Sequence, residues 1–352
     1  MFLAITLLLI AAQASAQNVT DLWARGYSVV PAPRTVRLSD GDVVFDDRWT
    51  LDDTKPGANH IAVRSLVRDM SEFHSLSLRR GERATAVRLA VTPGTVVTKA
   101  EPEIDAQAYR LIIGDNAIEI SGNGDPGLLY GVQTLLQLLK RDPAGRVLLP
   151  KATIEDWPKL QLRFLHWDTK HHQDRMETLK RYLDWSARMK VNMIGFELED
   201  KFEYPAHPAV GAPGAFTTSQ LQEIVNYGLE RFIQVVPVVQ SPAHFAYVLK
   251  HQQFADLRAD GNNYQSKLCD PRTYDLIFSM YDDVAKATQG VSISLSRLTR
   301  FTMPASKALA DPTIQRTAAW RGRSLSNARG TTWPNTDAAF WYGPSIRCCP
   351  ST

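Results

Sequence analysis

The chain has 352 residues, of which 44% are hydrophobic and 22% are charged, as in ordinary globular proteins. Its length predicts two domains. The formal net charge is only +3 and no long basic run occurs, so the composition gives no support to nucleic-acid binding. The three cysteines, Cys269, Cys348 and Cys349, lack the spacing of a zinc site, and we expect neither a metal nor a cofactor.

The first residues form a short apolar run that ends in Ala14-Ser15-Ala16, the small-residue pattern of a signal-peptidase site. We predict that residues 1–16 are a signal peptide and that the protein is secreted or periplasmic. A short membrane anchor or a buried segment is the alternative interpretation. No later stretch approaches the roughly 20 apolar residues that span a bilayer, so we expect no membrane span after cleavage.

Residues 17–152 are predicted to form a first domain. Tyr109–Ile113 and Ala117–Ser121 have strand-like composition, and the Gly-Asp-Asn cluster between them predicts a hairpin. Leu128–Lys140 places apolar residues at helical spacing behind an Asp-Pro-Gly start. Strands followed by an amphipathic helix predict a small α+β domain with its helices on one face of the sheet.

Residues 153–291 alternate strand and helix patterns. Met176–Lys190 has a helical apolar face, and Ser219 with Gln222 has the spacing of a capping box at the start of a second helix. The alternation predicts a parallel sheet and the first part of a (β/α)8 TIM barrel, an α/β fold whose chemistry gathers at the carboxyl ends of its strands. The predicted strands are Arg163–Asp168, Val191–Asp200 and Phe232–Pro237.

The first predicted strand carries Arg163 at its start and Asp168 at its end. A planar guanidinium suits sugar hydroxyls, but an ion pair at a domain interface is the alternative for Arg163. Asp168 and His166 share one face of the strand because strand side chains alternate. Trp167 and Tyr204 are aromatic residues that could stack on a sugar ring or simply belong to the core.

The second and third strands also end in polar residues. Glu197, Glu199 and Asp200 crowd one strand end, where like charges can raise a pKa and create a proton donor. A solvated acidic loop is the alternative. His244 follows the third strand, and a single histidine is more often structural than functional.

Several segments occur in a recognisable order: Ala108–Leu111, Gly127–Leu138, Ile154–Pro158 before Arg163, Asn192–Asp200, and Val236-Pro237 with Pro242–His244. Over about residues 25–290 this set resembles glycoside hydrolase family 20, the β-N-acetylhexosaminidases. The resemblance implies that Arg163 holds hydroxyls of the terminal sugar, with Asp200 and His244 in the active-site shell. We count Asp168 as a fourth substrate-binding candidate.

The resemblance also shows where this chain departs from the family pattern. Two histidines that precede the Asp200 position in the family are Gly195 and Glu197 here, and a Glu and an Asp after Pro237 are Val238 and Gln240. The family uses an Asp-Glu dipeptide at the end of its fourth strand. There the Glu is the general acid, and the Asp orients the substrate's own N-acetyl group, which attacks the anomeric carbon. This chain contains no such dipeptide, so its catalytic residues stay unassigned.

Residues 292–352 lose the strand–helix alternation and gain Arg, Ser and Thr. We interpret them as an aberrant tail, and a natural disordered tail is the alternative. Reading Ser292–Ser306 in a shifted frame permits Asp-Ile-Ser-Gln-Ser-Thr-Asp-Glu-Val-Tyr-Tyr-Ala-Gly-Ile, which restores the missing dipeptide.

The resemblance therefore implies an exported exo-hydrolase that acts on N-acetylhexosamine-containing glycans by a substrate-assisted retaining mechanism, with this particular chain inactive. Two alternatives stay open. One is a non-catalytic glycan-binding protein. The other is a different TIM-barrel glycosidase that uses Glu197, Glu199 and Asp200 as its carboxylates.

Overall fold

The structure is a computed structural model that describes residues 21–81, 84–169 and 172–291. The signal peptide predicted for residues 1–16 and the tail at residues 292–352 lie outside the described residues. Of the described residues, those up to Arg163, together with Arg181–Asn192 and Glu230–Ile233, form unit 1, and the others form unit 2. No helix among the residues described is long and apolar enough to cross a membrane.

Unit 1 contains a mixed sheet of eight strands, β1 Thr35–Phe45, β2 Thr50–Asp52, β3 Arg79–Arg80, β4 Ala86–Val91, β5 Tyr109–Ile113, β6 Ala117–Gly122, β7 Lys140–Arg141 and β8 Val147–Asp156. Their order in the sheet is β1-β8-β5-β6-β4-β2-β3, with β7 paired to β8. The β1–β8, β5–β8 and β5–β6 pairs are antiparallel, whereas the β2–β3, β2–β4 and β4–β6 pairs are parallel.

The predicted hairpin is confirmed as β5 and β6, which pair antiparallel with Ile113 opposite Ile118. The predicted helix is also confirmed, as Asp125–Leu138, with a proline in its first turn as helix starts favour. Only glycine fits at Gly127, because a Cβ there would lie 2.2 Å from the carbonyl oxygen of Ala108. The start of this helix therefore lies directly against the chain that leads into β5.

One face of the unit 1 sheet is covered by helices, as an α+β domain requires. The helices of the first domain are α1 Asp21–Ala24, α2 Ile61–His74, α3 Pro102–Asp105 and α4 Asp125–Leu138. α4 packs on β4, β5 and β6 and against α2, and its Leu128, Val132 and Leu135 are completely buried. The domain boundary predicted after residue 152 falls inside β8. The strand continues past that point, and its Ile154 is buried and pairs with Leu111 of β5.

Unit 2 contains three parallel strands, β9 Phe164–Trp167, β10 Met193–Glu197 and β11 Gln234–Val238. Their order in the sheet is β11-β10-β9, so the three predicted strands of the second domain are confirmed. The helices that follow the strands are α5 Met176–Arg188, whose residues from Arg181 onward belong to unit 1, α6 Thr218–Leu229, α7 Ala246–Leu249 and α8 Pro271–Lys286. Successive parallel strands joined by helices are the modules of a TIM barrel, here three of them among the described residues.

The capping box of α6 lies two residues earlier than predicted. Thr217 Oγ1 accepts from the Gln220 backbone N–H at 3.2 Å, and Gln220 Oε1 accepts from the Thr217 N–H at 3.0 Å. The prediction of Ser219 and Gln222 was wrong because the Thr217 pair has the same spacing and side-chain chemistry. Gln222 instead bonds Gln289, donating to its carbonyl at 3.0 Å and accepting from its N–H at 2.7 Å.

Candidate functional site

Polar side chains gather at the carboxyl ends of the three parallel strands of unit 2. Asp168 is exposed just after β9, Glu197 ends β10, and Gln240 lies two residues beyond β11. Asp200 lies in a short 3-10 turn, Glu199–Lys201, that follows β10. Because parallel strands present their carboxyl ends at the same edge, the sheet brings these groups to one side of unit 2.

Asp200 is held between two lysines. Lys201 Nζ donates to its Oδ1, and Lys250 Nζ lies 3.0 Å from its Oδ2. Burial would raise the pKa of the Asp200 carboxyl, but the hydrogen bonds and charges of the lysines outweigh burial and hold that pKa below its ordinary value. The expectation that crowded carboxylates raise the pKa is therefore wrong for Asp200. Its carboxylate is ionised at neutral pH, and 16% of the side chain is exposed.

Glu197 connects all three strands. Its side chain has no exposed surface, yet its Oε2 lies 2.9 Å from Nε2 of His166 on β9. Gln240, beyond β11, donates from its side-chain amide to Oε1 of the same carboxylate. The backbone carbonyl of Glu197 accepts from Thr169 Oγ1 at 2.5 Å. A buried carboxylate is costly without such partners, so these contacts fix its position.

The side chain of Phe164 on β9 reaches across to Gly195 on β10, although the residue directly opposite Gly195 is His166. A Cβ at Gly195 would lie 2.8 Å from Cζ of Phe164, so the phenyl ring occupies the space beside the glycine. Phe164 stacks at 6.5 Å on His166, two residues along the same strand. The phenylalanine thus fills the space that a larger residue at position 195 would need.

His244 and Tyr204 have different surroundings. His244 is exposed with a φ of 53°, and the Tyr264 hydroxyl lies 3.1 Å from a nitrogen of its ring. Tyr204 is completely buried and packs edge-on against Phe202 at 5.0 Å, so the idea that it stacks on a sugar is wrong. Trp167 is partly exposed and packs edge-on against Phe196 at 5.5 Å.

Arg163 lies in unit 1, where four hydrogen bonds hold its guanidinium. Its acceptors are the Lys190 carbonyl at 2.6 Å, the Leu160 carbonyl at 3.0 Å, Gln107 Oε1 at 2.7 Å and the Tyr130 hydroxyl at 3.0 Å. A guanidinium has five N–H groups, so a sugar can take the one that remains or replace one of these acceptors. The sugar-binding role of Arg163 stays a prediction.

Sequence reasoning missed the joint role of His166 and Gln240. The signal was present in two departures from the family pattern, at positions 197 and 240, which the structure shows to be hydrogen-bonded to each other. Substitutions at two touching positions point to a rearranged polar network. Within the described residues no group of three His, Cys, Asp or Glu side chains is placed to hold a metal ion.

Comparisons with known proteins agree with both units. Residues 26–157 match the family model described as glycosyl hydrolase family 20, domain 2, and residues 161–300 match the family 20 catalytic domain. A β-hexosaminidase of Porphyromonas gingivalis is 28% identical over 247 residues, which are 62% of this chain and 31% of that protein. A β-N-acetylhexosaminidase of Cellulomonas fimi is 26% identical over 236 residues, 62% of this chain and 46% of that protein.

Solved structures show the same fold. The Flavobacterium johnsoniae chitobiase has a TM-score of 0.61 at 22% identity, covering 76% of this chain and 44% of that one. The Streptomyces plicatus N-acetyl-β-hexosaminidase, in complex with thio-NAglucal, has a TM-score of 0.59 at 25% identity, covering 74% and 57%. The chain spans about a third to a half of the length of the two curated relatives.

Proposed function

Since this chain belongs to glycosyl hydrolase family 20, we propose that the carboxyl ends of β9, β10 and β11 bind a terminal N-acetylhexosamine unit of a glycan. The corresponding activity is that of an exo-β-N-acetylhexosaminidase, a glycoside hydrolase that needs no cofactor. The partners are glycans that end in N-acetylhexosamine. Asp168, Asp200 and His244 of unit 2 are the proposed sugar ligands, and the sugar-binding role of Arg163, in unit 1, is a separate proposal.

The observation that carries the proposal is the state of Asp200. An ionised carboxylate is an acceptor for sugar hydroxyls, and charge-assisted hydrogen bonds are roughly twice as strong as neutral ones. Lys201 and Lys250 keep Asp200 ionised and fix its orientation, while part of the side chain stays exposed. A carboxylate prepared in this way at the end of a parallel strand suits binding of a neutral, hydroxyl-rich ligand.

We propose that the 352-residue polypeptide binds sugar with negligible hydrolysis. A substrate-assisted mechanism needs an acid to protonate the leaving group and a second group to orient the N-acetyl group. The family supplies both from an Asp-Glu dipeptide, which this sequence lacks. The shifted reading of Ser292–Ser306 supplies that dipeptide, so resequencing the DNA that encodes residues 285–310 tests the proposal of a shifted frame.

A different TIM-barrel glycosidase that uses Glu197, Glu199 and Asp200 as its carboxylates is the weaker alternative. The Glu197 carboxylate is fully buried, lies 2.9 Å from Nε2 of His166 and accepts a hydrogen bond from Gln240, so protein side chains already surround it. Glu197→Gln would abolish hydrolysis under that alternative. Under the present proposal hydrolysis by the wild type is already negligible, and the variant changes binding alone.

Titration of the purified chain with N-acetylglucosamine, followed by calorimetry, tests the proposal. Saturable binding that requires Asp200 supports it, whereas equal heats for wild type and Asp200→Asn oppose it. Export is a separate proposal that rests on residues 1–16. Amino-terminal sequencing of the protein recovered outside the cytoplasm tests it, with Gln17 expected as the first residue.

A further inference from the structure

We propose that His166 contacts the bound sugar and that the buried Glu197 is a positioning residue that acts through it. This inference rests on the proposed function, because it assigns a further residue to the same sugar site. The ligand is a hydroxyl group of the terminal N-acetylhexosamine. The proposal depends on the contact between His166 and Glu197 together with their very different exposure.

The two side chains are in ion-pair contact at 2.9 Å, but their environments differ. The imidazole of His166 is 47% exposed, whereas the carboxylate of Glu197 has no exposed surface. His166 lies on the same strand face as Asp168, two residues nearer the start of β9. The ring therefore contacts a buried carboxylate and also has exposed surface near the carboxyl end of β9.

The contact with Glu197 determines which ring nitrogen of His166 can bind the ligand. Nε2 lies 2.9 Å from Oε2 of Glu197, and a carboxylate only accepts, so Nε2 carries the hydrogen. Nδ1 is then the ring atom left for a ligand. A sugar hydroxyl both donates and accepts, so it complements Nδ1 whether or not that nitrogen carries a proton.

A contribution to folding stability does not by itself explain the contact between His166 and Glu197. Pairs between exposed charges contribute little, and a buried carboxylate costs free energy unless it is fully bonded. Here Gln240, from beyond a different strand, donates a hydrogen bond to the Glu197 carboxylate, and Thr169 donates to the Glu197 backbone carbonyl. Glu197, at the end of β10, is thus held by residues of or beyond the two neighbouring strands, and its carboxylate orients one exposed imidazole.

The test combines calorimetry with nitrogen-15 NMR of the imidazoles, using N-acetylglucosamine as the probe and the full 352-residue chain. His166→Ala removes the contact, and Glu197→Gln removes the fixed carboxylate at almost unchanged volume. His60→Asn is the matched control, because His60 also pairs with a carboxylate, Asp125 at 3.2 Å, but lies in unit 1. Asparagine at position 60 can still cap α2.

For the wild type we expect the nitrogen-15 signals of His166 to show that Nε2 carries the hydrogen. Adding N-acetylglucosamine should then shift the Nδ1 signal. His166→Ala should weaken binding about tenfold, the loss of one hydrogen bond. Glu197→Gln should weaken binding and give mixed ring tautomers, whereas His60→Asn should leave binding unchanged.

Two outcomes are separable. If the wild type does not bind N-acetylglucosamine, the proposed function fails and this inference fails with it. If the wild type binds but the Nδ1 signal does not move, or His166→Ala binds equally well, only the role of His166 is overturned. Should Glu197→Gln fail to fold, the half-exposed position of His166 keeps the alanine variant decisive.

Discussion

Lys190 and Asp156 form a buried ion pair in unit 1, with 2.9 Å between Nζ and Oδ2. Lys190 is 4% exposed and Asp156 is 7% exposed. Burial lowers the pKa of the Lys190 ammonium, and the charge and hydrogen bond of Asp156 partly oppose that shift. The Tyr109 hydroxyl bonds both groups, and the Lys190 carbonyl accepts from Arg163, so the pair and the arginine belong to one network.

Replacing Lys190 with methionine should destabilise the protein strongly. The change leaves Asp156 buried without its cation, and breaking a buried pair on one side costs about 3–5 kcal/mol. Urea unfolding monitored by circular dichroism measures the loss. Arg146→Ala, which removes an exposed partner of Asp142, is the control and should cost no more than about 1 kcal/mol. Equal effects of the two variants would contradict the role assigned to the buried pair.

Asp200→Asn should weaken binding of N-acetylglucosamine by roughly 1.5–3 kcal/mol, the range for hydrogen bonds to a charged group. The amide loses the negative charge that Lys201 and Lys250 hold in place. Glu203→Gln removes a carboxylate from an exposed side chain three residues on and should not change affinity. Isothermal titration of the three proteins checks this, and similar affinities throughout would rule Asp200 out as a ligand.

Gly195→Ala should destabilise unit 2 by about 1–3 kcal/mol, because the new methyl group displaces the ring of Phe164. In a Phe164→Ala background the ring is gone, and the same substitution should cost less. Denaturation of the four proteins of this double-mutant cycle gives the coupling energy, expected at about 0.5–3 kcal/mol. Additive effects of the two substitutions would show that the Phe164 ring is not the reason why alanine at position 195 is destabilising.

Stability should fall in mild acid in a way that depends on His207. Burial lowers the pKa of the His207 imidazole, and Asp283 partly opposes that effect. The unfolded chain therefore binds the proton more readily, so stability is complete above about pH 6.5 and declines as the pH falls toward the lowered folded-state pKa.

His207→Gln should reduce that decline, measured as the difference in melting temperature between pH 7 and pH 5. Glutamine can keep the hydrogen bond that His207 makes to Ser279 Oγ. His172→Gln, at a side chain that is 60% exposed, is the control for removing one imidazole. If His207→Gln lost as much melting temperature between pH 7 and pH 5 as the wild type, a lowered pKa of His207 in the folded protein would be contradicted.

The elements that were predictable carry local periodicity. The β5–β6 hairpin and α4 follow from alternation, turn formers and helical spacing within a few residues. The cap of α6 was misplaced because Thr217 and Ser219 offer equivalent chemistry, and the helix geometry alone decides between them. Periodicity could not show that Tyr204 is buried, since an aromatic residue suits a core and a sugar face equally.

Candidate site residues were harder to predict than elements because their partners are distant in sequence. Asp200 was identified from its strand end, but its pKa depends on Lys250, fifty residues on. The bond between Glu197 and Gln240 spans 43 residues and joins two departures that looked independent. The sites predicted at Asp168, Asp200 and His244 remain predictions about binding.

The most direct test of the account is a calorimetric titration of the 352-residue chain with N-acetylglucosamine, in parallel with the Asp200→Asn variant. The account predicts saturable binding by the wild type with one sugar per chain, and clearly weaker binding by the variant. Absence of saturable binding by a folded wild-type chain would contradict the claim that the ends of β9, β10 and β11 form a sugar site.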